Sequence, residues 1–542
     1  MVWLLLILFL VHRWHGPDVW YHLVWGRSIW TTGSLVPSPD VLLSQPIPAN
    51  GYWLFQSVLY GLYWIGGHFA VFLLFLAAWL GIAWLWKRIT QWDQASWGGW
   101  LFLLFVICMQ LRFEERPEVF SYLLILLMVD RAWRGPLNSQ NLWIMALIQV
   151  VWSNVHGYFV FGPLIATLLL LERSGWRSQR PWWTGLVLSL STLITPFGYG
   201  VWKTVFLYAR FSRELADLNQ ELFSPSLWPP AFPTSFFWIF VVAVAVTSVW
   251  MLATGRNFGR ALLALLGCFL SSLAIRNMPL VFFFSAPLLS EWKGWRLTKM
   301  SLNPRWTNLS LRVVTAGLSV ALVLGYYHRW VGSLSSFGWG EEWASYPIGA
   351  VEFLKEKGFR GKLFCDSYDG GYLEFHLPEI KVAGDSYFSD SSVTRRYFQA
   401  IRNVDDFVRL NQQFDFDGLL INVENFDVLD TTLNNPKYVM AYADSHRVLF
   451  LRAGESPKAT WEQVQFYHGE NLRDEAYAFG VTAWMALGFK RQDRELIHQL
   501  VMNLQTASAI PERAFSIAVR FAHENRDEDL VFKLAPMKIK LF

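Results

Sequence analysis

Two aspartates and a histidine within residues 15–50 have types and a spacing that suit chemistry at a polar site. Asp18 and His22 are four residues apart, so on a helix they share one face. Asp40 follows a Pro-Ser-Pro sequence. Charged groups beside apolar segments are costly unless they are paired or functional. Each also has a structural alternative: Asp18 as a helix N-cap, His22 as a packed side chain, and Asp40 as the end of a proline turn.

Basic residues recur in four further polar turns along the chain. They are Arg116 in RFEERPE, His156 in SNVHG, Lys203 in the stretch 198–234, and Arg276 in IRNMP. Taken singly, each is an ordinary solvated charge. Together with nearby carboxylates they suit an anionic head group with a lipid tail, because guanidinium grips phosphate bidentately while the tail stays in the bilayer.

The composition indicates a membrane protein. Of the 542 residues 54% are hydrophobic, and the net charge is +4. Only twelve acidic residues precede position 340, so a membrane part and a water-soluble part meet near residue 330. The three cysteines are far apart, which excludes a disulfide framework or a zinc spacing. No basic stripe with interleaved aromatics appears in the soluble part, so we expect no nucleic-acid partner.

Apolar runs predict about eleven membrane spans. Lys and Arg cluster in alternate connections, and the positive-inside rule places those connections in the cytoplasm. The remaining connections, including residues 15–50 and everything after 328, are then predicted to lie outside. The predicted spans are 1–14, 67–86, 97–111, 117–131, 141–155, 157–172, 182–197, 235–254, 258–275, 278–291 and 309–327.

Residues 52–66, WLFQSVLYGLYWIGG, are the uncertain element of this topology. The alternation of basic connections holds only if this segment does not cross the bilayer. We therefore predict an amphipathic helix at the outer interface, or an extension of the next span.

The order of motifs resembles a large bacterial family of uncharacterised polytopic proteins in the GT-C glycosyltransferase superfamily. Its members open with an Asp-Pro-Asp-Leu-Trp-Trp-His-Leu-like motif. The resemblance runs to about residue 430. The matching residues here are Asp18, Trp20, His22, Gly26-Arg27, Gly33, Pro37, Asp40, Ser44, Gly51-Tyr-Trp53, Arg116-Pro117, Trp152-Ser-Asn154-Val-His156-Gly157, Pro196-Phe-Gly198, Arg276-Asn277-Met-Pro279, Pro347 to Leu354 and Asp369-Gly370-Gly371-Tyr372-Leu373.

The resemblance implies a sugar donor linked to a polyprenyl phosphate and an inverting transfer at the outer face. It also implies that an acidic residue of the first loop acts as base or positions a metal, which gives Asp18, with Asp40 second. A divalent cation, Mg or Mn, would use Asp18 and a second carboxylate, either Glu221 or one of Glu114–Glu118. The family usually has a further acid two residues before the position of Asp18, and this chain has Gly16 there.

The implied phosphate contacts are Arg116, His156, Lys203 and Arg276, with His22 as a further substrate-binding residue.

The soluble part alternates helical and strand-like runs. Residues 331–455 are predicted to form an extracytoplasmic α/β domain, and 456–542 helical hairpins, after a transmembrane domain at 1–330. Asp369-Gly370-Gly371 reads as a sugar-binding loop or as a plain turn. No P-loop lysine and no Gly-rich strand-to-helix turn appears, so no nucleotide cofactor is expected.

The predicted fold class is therefore mainly α, a polytopic GT-C-like helical bundle followed by an α/β domain and C-terminal helices. The predicted function is an integral-membrane glycosyltransferase of the bacterial cytoplasmic membrane, with a glycan, lipid or protein of the envelope as acceptor. The main alternative is a non-catalytic binding or assembly component for envelope polysaccharide. An ion-coupled transporter fits less well, because the predicted spans carry charges only at their ends.

Overall fold

The computed structural model describes residues 1–36, 41–43, 49–92, 98–218, 220–225, 234–294, 304–331, 335–387, 390–454, 475–505 and 512–540. A helical part precedes a small sheet, and further helices follow it. The helices of the first part are α1 Val2–Leu10, α2 Asp18–Thr32, α3 Trp53–Thr90, α4 Gly98–Met109, α5 Glu118–Arg134, α6 Ser139–Ser153, α7 Phe161–Ser174, α8 Arg180–Ser191, α9 Gly200–Glu214, α10 Thr234–Ala253, α11 Phe258–Leu273, α12 Pro279–Phe284, α13 Ala286–Leu289, α14 Pro304–Val323 and α15 Tyr326–Val331.

The second part alternates helices and strands before ending in helices. Its elements are α16 Ile348–Lys357, β1 Lys362–Phe364, α17 Ser367–His376, β2 Lys381–Val382, α18 Ser391–Arg402, α19 Val404–Phe414, β3 Gly418–Asn422, α20 Phe426–Leu433, β4 Tyr438–Ala443, β5 Arg447–Arg452, α21 Glu475–Arg491, α22 Arg494–Gln505, α23 Glu512–Glu524 and α24 Glu528–Leu534.

Fewer helices can span a bilayer than the sequence predicts. Within the described residues four are long and apolar enough, and the prediction of about eleven spans is wrong by this measure. Several predicted spans form helices that are too short: α5, α6 and α8 contain 17, 15 and 12 residues. At about 1.5 Å per residue these fall short of the roughly 30 Å hydrocarbon core. The four long helices are Trp53–Thr90, Gly157–Ser174, Ser235–Ala253 and Arg305–Val323, and shorter apolar helices cover Gly98–Met109, Phe258–Leu273 and Ile275–Phe284.

Helix α3 contains a break where the predicted interfacial segment ends. Its 38 residues include Gly66 and Gly67 with non-helical backbone angles, and the φ of Gly67 is 54°. Only glycine adopts such angles without strain, so the pair separates residues 53–65 from the rest of α3. The segment thus extends the next helix across a break. Its location at the outer interface stays a prediction.

The five strands form one mixed sheet in the order β2-β1-β3-β5-β4. The β2, β1 and β3 strands are parallel, while β5 pairs antiparallel with both β3 and β4. Alternate strand residues point to opposite faces. Leu363, Leu420 and Leu449 belong to a core shared with the helices of the first part. The opposite face, with Phe364 and Phe450 among others, packs with the C-terminal helices.

Helix α17 packs directly on α2, and this contact joins the two parts of the chain. A Cβ added at Gly371 would lie 2.8 Å from the Tyr21 backbone nitrogen. Trp20 is completely buried there, with ring centroids of Tyr372 and Phe375 at 4.9 and 5.2 Å. At the far end of α17, the Arg27 guanidinium donates to the carbonyl oxygens of Phe375 and Glu374 at 2.8 and 2.9 Å. Asp369-Gly370-Gly371, predicted as a loop or a turn, lies within α17, so that prediction is wrong.

The stretch after α2 also joins the sheet. The backbone nitrogens of Leu42 and Leu43 donate to the carbonyl oxygens of Val382 and Ala383 at 2.9 and 3.1 Å. These bonds lie along the open edge of β2, next to a parallel bridge between Val41 and Val382. The predicted boundary at residue 330 stays a prediction, and a continuous core crosses it.

Replacing Gly371 with Ala tests the α2–α17 contact. The new Cβ meets backbone, which cannot rotate away, so we expect a loss of about 1–3 kcal/mol in the free energy of unfolding. Denaturant unfolding of the purified protein in detergent measures it. The control is Gly317→Ala in α14, where nothing lies within 4 Å of the added Cβ and helix propensity predicts a gain of up to about 1 kcal/mol. Equal unfolding free energies for the two variants would contradict the packing described here.

Candidate functional site

Arg116 lies at the centre of a buried group of charges. Its Nε is 3.3 Å from Asp18 Oδ2 and 2.5 Å from Glu114 Oε2, and its Nη1 is 2.7 Å from Glu221 Oε1. Asp18 is the first residue of α2, Arg116 lies two residues before the start of α5, and Glu221 lies in a short 3-10 turn. Three segments that are distant in sequence therefore meet at one guanidinium.

Arg112 extends the group with a second guanidinium. Its side chain donates to Glu118 Oε1 at 2.6 Å and to Glu221 Oε1 at 3.3 Å. Arg112 and Arg116 are both buried, with 7% and 8% of their surface exposed. Two cations thus face four carboxylates in what we call the Arg116 cluster, defined as Asp18, Arg112, Glu114, Arg116, Glu118 and Glu221.

Asp18 and Glu221, two carboxylates of the cluster, have pKa values that are shifted in opposite directions. Burial raises the pKa of Asp18 to about 6, although the charge of Arg116 opposes this rise. Burial would also raise the pKa of Glu221, but the charges of Arg116 and Arg112 outweigh it and bring that pKa to about 2. Asp18 is therefore a carboxylate that exchanges its proton near neutral pH, and its side chain is 24% exposed. Glu221 is a permanent anion that neutralises arginine.

His156 and Arg276 border the cluster. The His156 Nδ1 lies 2.9 Å from Ser121 Oγ, and its ring centroid is 5.7 Å from that of Tyr52. Burial lowers the pKa of His156 to about 4, so the imidazole is neutral at pH 7. The half-buried Arg276 donates to Ser212 Oγ at 2.8 Å, and its charge contributes to the low pKa of Glu221. No carboxylate among the described residues pairs with Arg276.

His22 has a packing role in this structure. It is 1% exposed, and its Nδ1 lies 3.2 Å from Gln56 Nε2. The Gln56 Oε1 in turn accepts from Asn50 at 2.7 Å. Burial lowers the pKa of His22 well below its ordinary value. This neutral network holds α2 against α3, which matches the packing alternative for His22.

Lys203, a further predicted site residue, is not brought to the cluster. Lys203 lies on the exposed face of α9, with its Nζ 5.9 Å from the ring centroid of Tyr199. Among the described residues it contacts none of the cluster. Asp40 lies outside the described residues.

Asp18 and Glu221 do not fit the predicted role of sharing a divalent cation. Arg116 bonds to both, so a guanidinium already occupies the space between them. Both Glu221 oxygens accept hydrogen bonds from Arg116, and Arg112 also donates to Oε1. Among the described residues no group of three or more His, Cys, Asp or Glu side chains has a metal-binding arrangement.

Asp385, which the sequence did not single out, lies close to Asp18. It follows β2 and is 2% exposed. Its pKa is raised to about 7, first by burial and further by the charge of Asp18, while a backbone hydrogen bond from Tyr387 opposes the rise. The signal was present in KVAGD, an aspartate just after a short strand.

Tyrosines surround this part of the site. The Tyr387 ring centroid lies 5.5 Å from that of Tyr21 and 6.2 Å from that of Tyr208. Tyr52 continues the group, 6.5 Å from Tyr208. These rings come from α2, α9 and the segments before α3 and α18. Together they form a layer of aromatic rings beside the Arg116 cluster.

No family model matches the chain. No curated protein matches it either. Among solved structures, it is similar to the oligosaccharyltransferase of Archaeoglobus fulgidus in the apo form, with a TM-score of 0.49 and 9% identity over 84% of this chain and 74% of that chain.

Replacing Arg116 with Met tests the electrostatic balance of the cluster. Three carboxylates then lose their shared cation, and we expect a loss of roughly 3 kcal/mol in the free energy of unfolding at pH 7. Arg116 helps to hold the pKa of Glu221 below its unfolded value, so its contribution is present above pH ~4.5 and is lost as pH falls toward about 2. The deficit of the variant should therefore shrink on acidification.

The measurement is denaturant unfolding in detergent at pH 7 and pH 4. The matched control is Arg360→Met, which removes an exposed ion pair with Glu379 and should change stability by less than about 0.5 kcal/mol. Equal deficits for the two variants would show that the cluster is not held by Arg116.

Proposed function

We propose that the chain is an integral-membrane glycosyltransferase that moves a sugar from a polyprenyl-phosphate donor to a hydroxyl of an envelope acceptor. The supporting observation is Asp18, a partly exposed carboxylate with a pKa of about 6, fixed by Arg116. A general base is most effective when its pKa lies near the working pH. The resemblance of the first-loop motif to the GT-C superfamily points to the same residue.

The hydrogen-bond and ion-pair partners of each residue suggest its role in the transfer. Asp18 takes the proton of the acceptor hydroxyl as its oxygen attacks the anomeric carbon. The bond from that carbon to the phosphate oxygen breaks, and the electron pair leaves with the phosphate. Arg276 binds this phosphate, since it has guanidinium N–H groups beyond its bond to Ser212. Arg116, with three carboxylate partners, positions Asp18 instead of gripping the donor.

The membrane setting of the proposal follows from the apolar helices and the distribution of charge. Four long apolar helices make the chain a membrane protein by length and composition. We propose, on the positive-inside rule alone, that Asp18 and the sheet lie on the outer side of the membrane. A lipid-linked donor suits a site at the outer end of such helices. We place the protein in a bacterial cytoplasmic membrane.

Asp18→Asn tests the catalytic proposal. The amide cannot accept a proton, so transfer should fall by a factor of about 10²–10⁴. In the wild-type protein, transfer should rise with pH through about 6, because the base is active only when ionised. The measurement is sugar release or transfer from polyprenyl-phosphate sugars by purified protein in detergent. The control is Asp427→Asn, which removes a carboxylate paired with Lys490 on the surface.

Wild-type transfer that survives in Asp18→Asn would refute Asp18 as the base. The non-catalytic assembly component would be favoured by two results together. The wild-type protein shows no transfer, and the Asp18→Ala variant rescues the phenotype of cells that lack the protein.

A further inference from the structure

Asp385 lies at a sheet edge that commonly binds ligands. Strands β1, β2 and β3 are parallel, so their carboxyl ends share one edge. Asp366 follows β1, Asp385 follows β2, and Asn422 ends β3. The carboxyl ends of parallel strands form the crevice where α/β sheets bind ligands. Here α2, which begins at Asp18, packs nearby.

Backbone packing brings this edge to the first turn of α2. An added Cβ at Gly370 would lie 2.8 Å from the Asp385 Cα, and one at Gly371 would lie 2.8 Å from the Tyr21 nitrogen. The two glycines thus let α17 sit between the Asp385 segment and α2. The ring centroids of Tyr21 and Tyr387 are 5.5 Å apart, which closes the contact on its other side. Asp18 lies one turn before Tyr21.

Of the two carboxylate oxygens of Asp385, one accepts a hydrogen bond and the other has no hydrogen-bond partner in the part of the chain that the structure describes. Its Oδ1 accepts from the Tyr387 backbone nitrogen at 2.9 Å. Its Oδ2 is buried and has no hydrogen-bond partner among the described residues. Buried polar atoms are nearly always paired, because an unpaired one loses its hydration without compensation. An oxygen left in this way beside a candidate base is suited to a group from outside the chain.

We propose that Asp385 binds a hydroxyl group of the acceptor beside Asp18, so that the second part of the chain completes the site. The inference rests on the proposed function, and it names the acceptor as a hydroxyl-bearing molecule seated between α2 and the sheet edge. The ionised Oδ2 accepts a hydrogen bond from the hydroxyl, which the NH2 group of an amide cannot do. Asp385 is thus a binding residue, and Asp18 remains the base.

The raised pKa of Asp385 agrees with a position beside Asp18. Burial raises this pKa first, and the charge of Asp18 raises it further. Tyr21 of α2, Tyr387 and Tyr397 of α18 are the tyrosines whose hydroxyls lie near the charge of Asp385. No cation of the described residues pairs with Asp385, so a ligand hydroxyl has no competing partner there.

The test is Asp385→Asn, which keeps the Oδ1 acceptor for Tyr387 and replaces only the free oxygen. Polyprenyl-phosphate mannose serves as donor, and methyl α-D-mannoside and methyl β-D-glucoside serve as hydroxyl acceptors. We expect the KM for the glycosides to rise about tenfold or more, while donor hydrolysis by water changes less than about twofold. The matched control is Glu379→Gln, an exposed carboxylate of the same region that should behave as wild type. If the Asn variant does not purify as folded protein, Asp385→Ser takes its place.

Glycoside binding is also titrated by intrinsic tryptophan fluorescence, which needs no turnover. An unchanged KM and unchanged glycoside binding in Asp385→Asn would overturn the inference. Loss of donor hydrolysis with glycoside binding intact would overturn it as well. If the wild-type protein turns over no donor, the proposed function fails, and the titration alone decides: binding lost in the variant supports Asp385, and equal or absent binding refutes it.

Discussion

The close packing of α17 on α2 is the constraint from which the arrangement of the site follows. Gly371 has no side chain to hold α17 away from α2, and Trp20 fills the space beside it. Gly370 likewise lets α17 approach the backbone of Gly384 and Asp385. This places the first turn of α2 between the membrane helices and the carboxyl edge of the sheet. Asp18 therefore faces Arg116 on one side and the neighbourhood of Asp385 on the other. Neither part of the chain alone provides this environment.

Electrostatics explains why such a site is stable in a chain with so few charges in its first part. Four carboxylates of the Arg116 cluster face two guanidiniums, and the arginines keep Glu221 ionised although it is buried. Asp18 is paired less strongly than Glu221, through a single contact to the Arg116 guanidinium at 3.3 Å. Its pKa consequently rises where that of Glu221 falls. A stable ion network thus contains one carboxylate that is free to exchange a proton.

The sequence predicted which charges lie together better than it predicted the topology. Asp18, Arg116 and Arg276 were selected because rare charges in apolar sequence are costly unless paired or functional, and the structure brings them together. Lys203 was selected on the same grounds and lies apart, since an amphipathic helix can turn a lysine outward. Asp385 was not singled out because its proximity to the first turn of α2 arises from tertiary packing, across more than 350 positions of sequence. The number of spans was overestimated because apolar composition does not report where a helix ends.

Arg27 in α2 caps the end of α17 from 348 positions away along the chain. During synthesis α2 therefore emerges long before the helix that covers it. Until then Trp20 lacks the rings of Tyr372 and Phe375, and closing so long a loop is slow. The assembled site can form only after nearly all the membrane helices are in place. The packing around Trp20 and the first turns of α2 is in this sense a property of the completed protein.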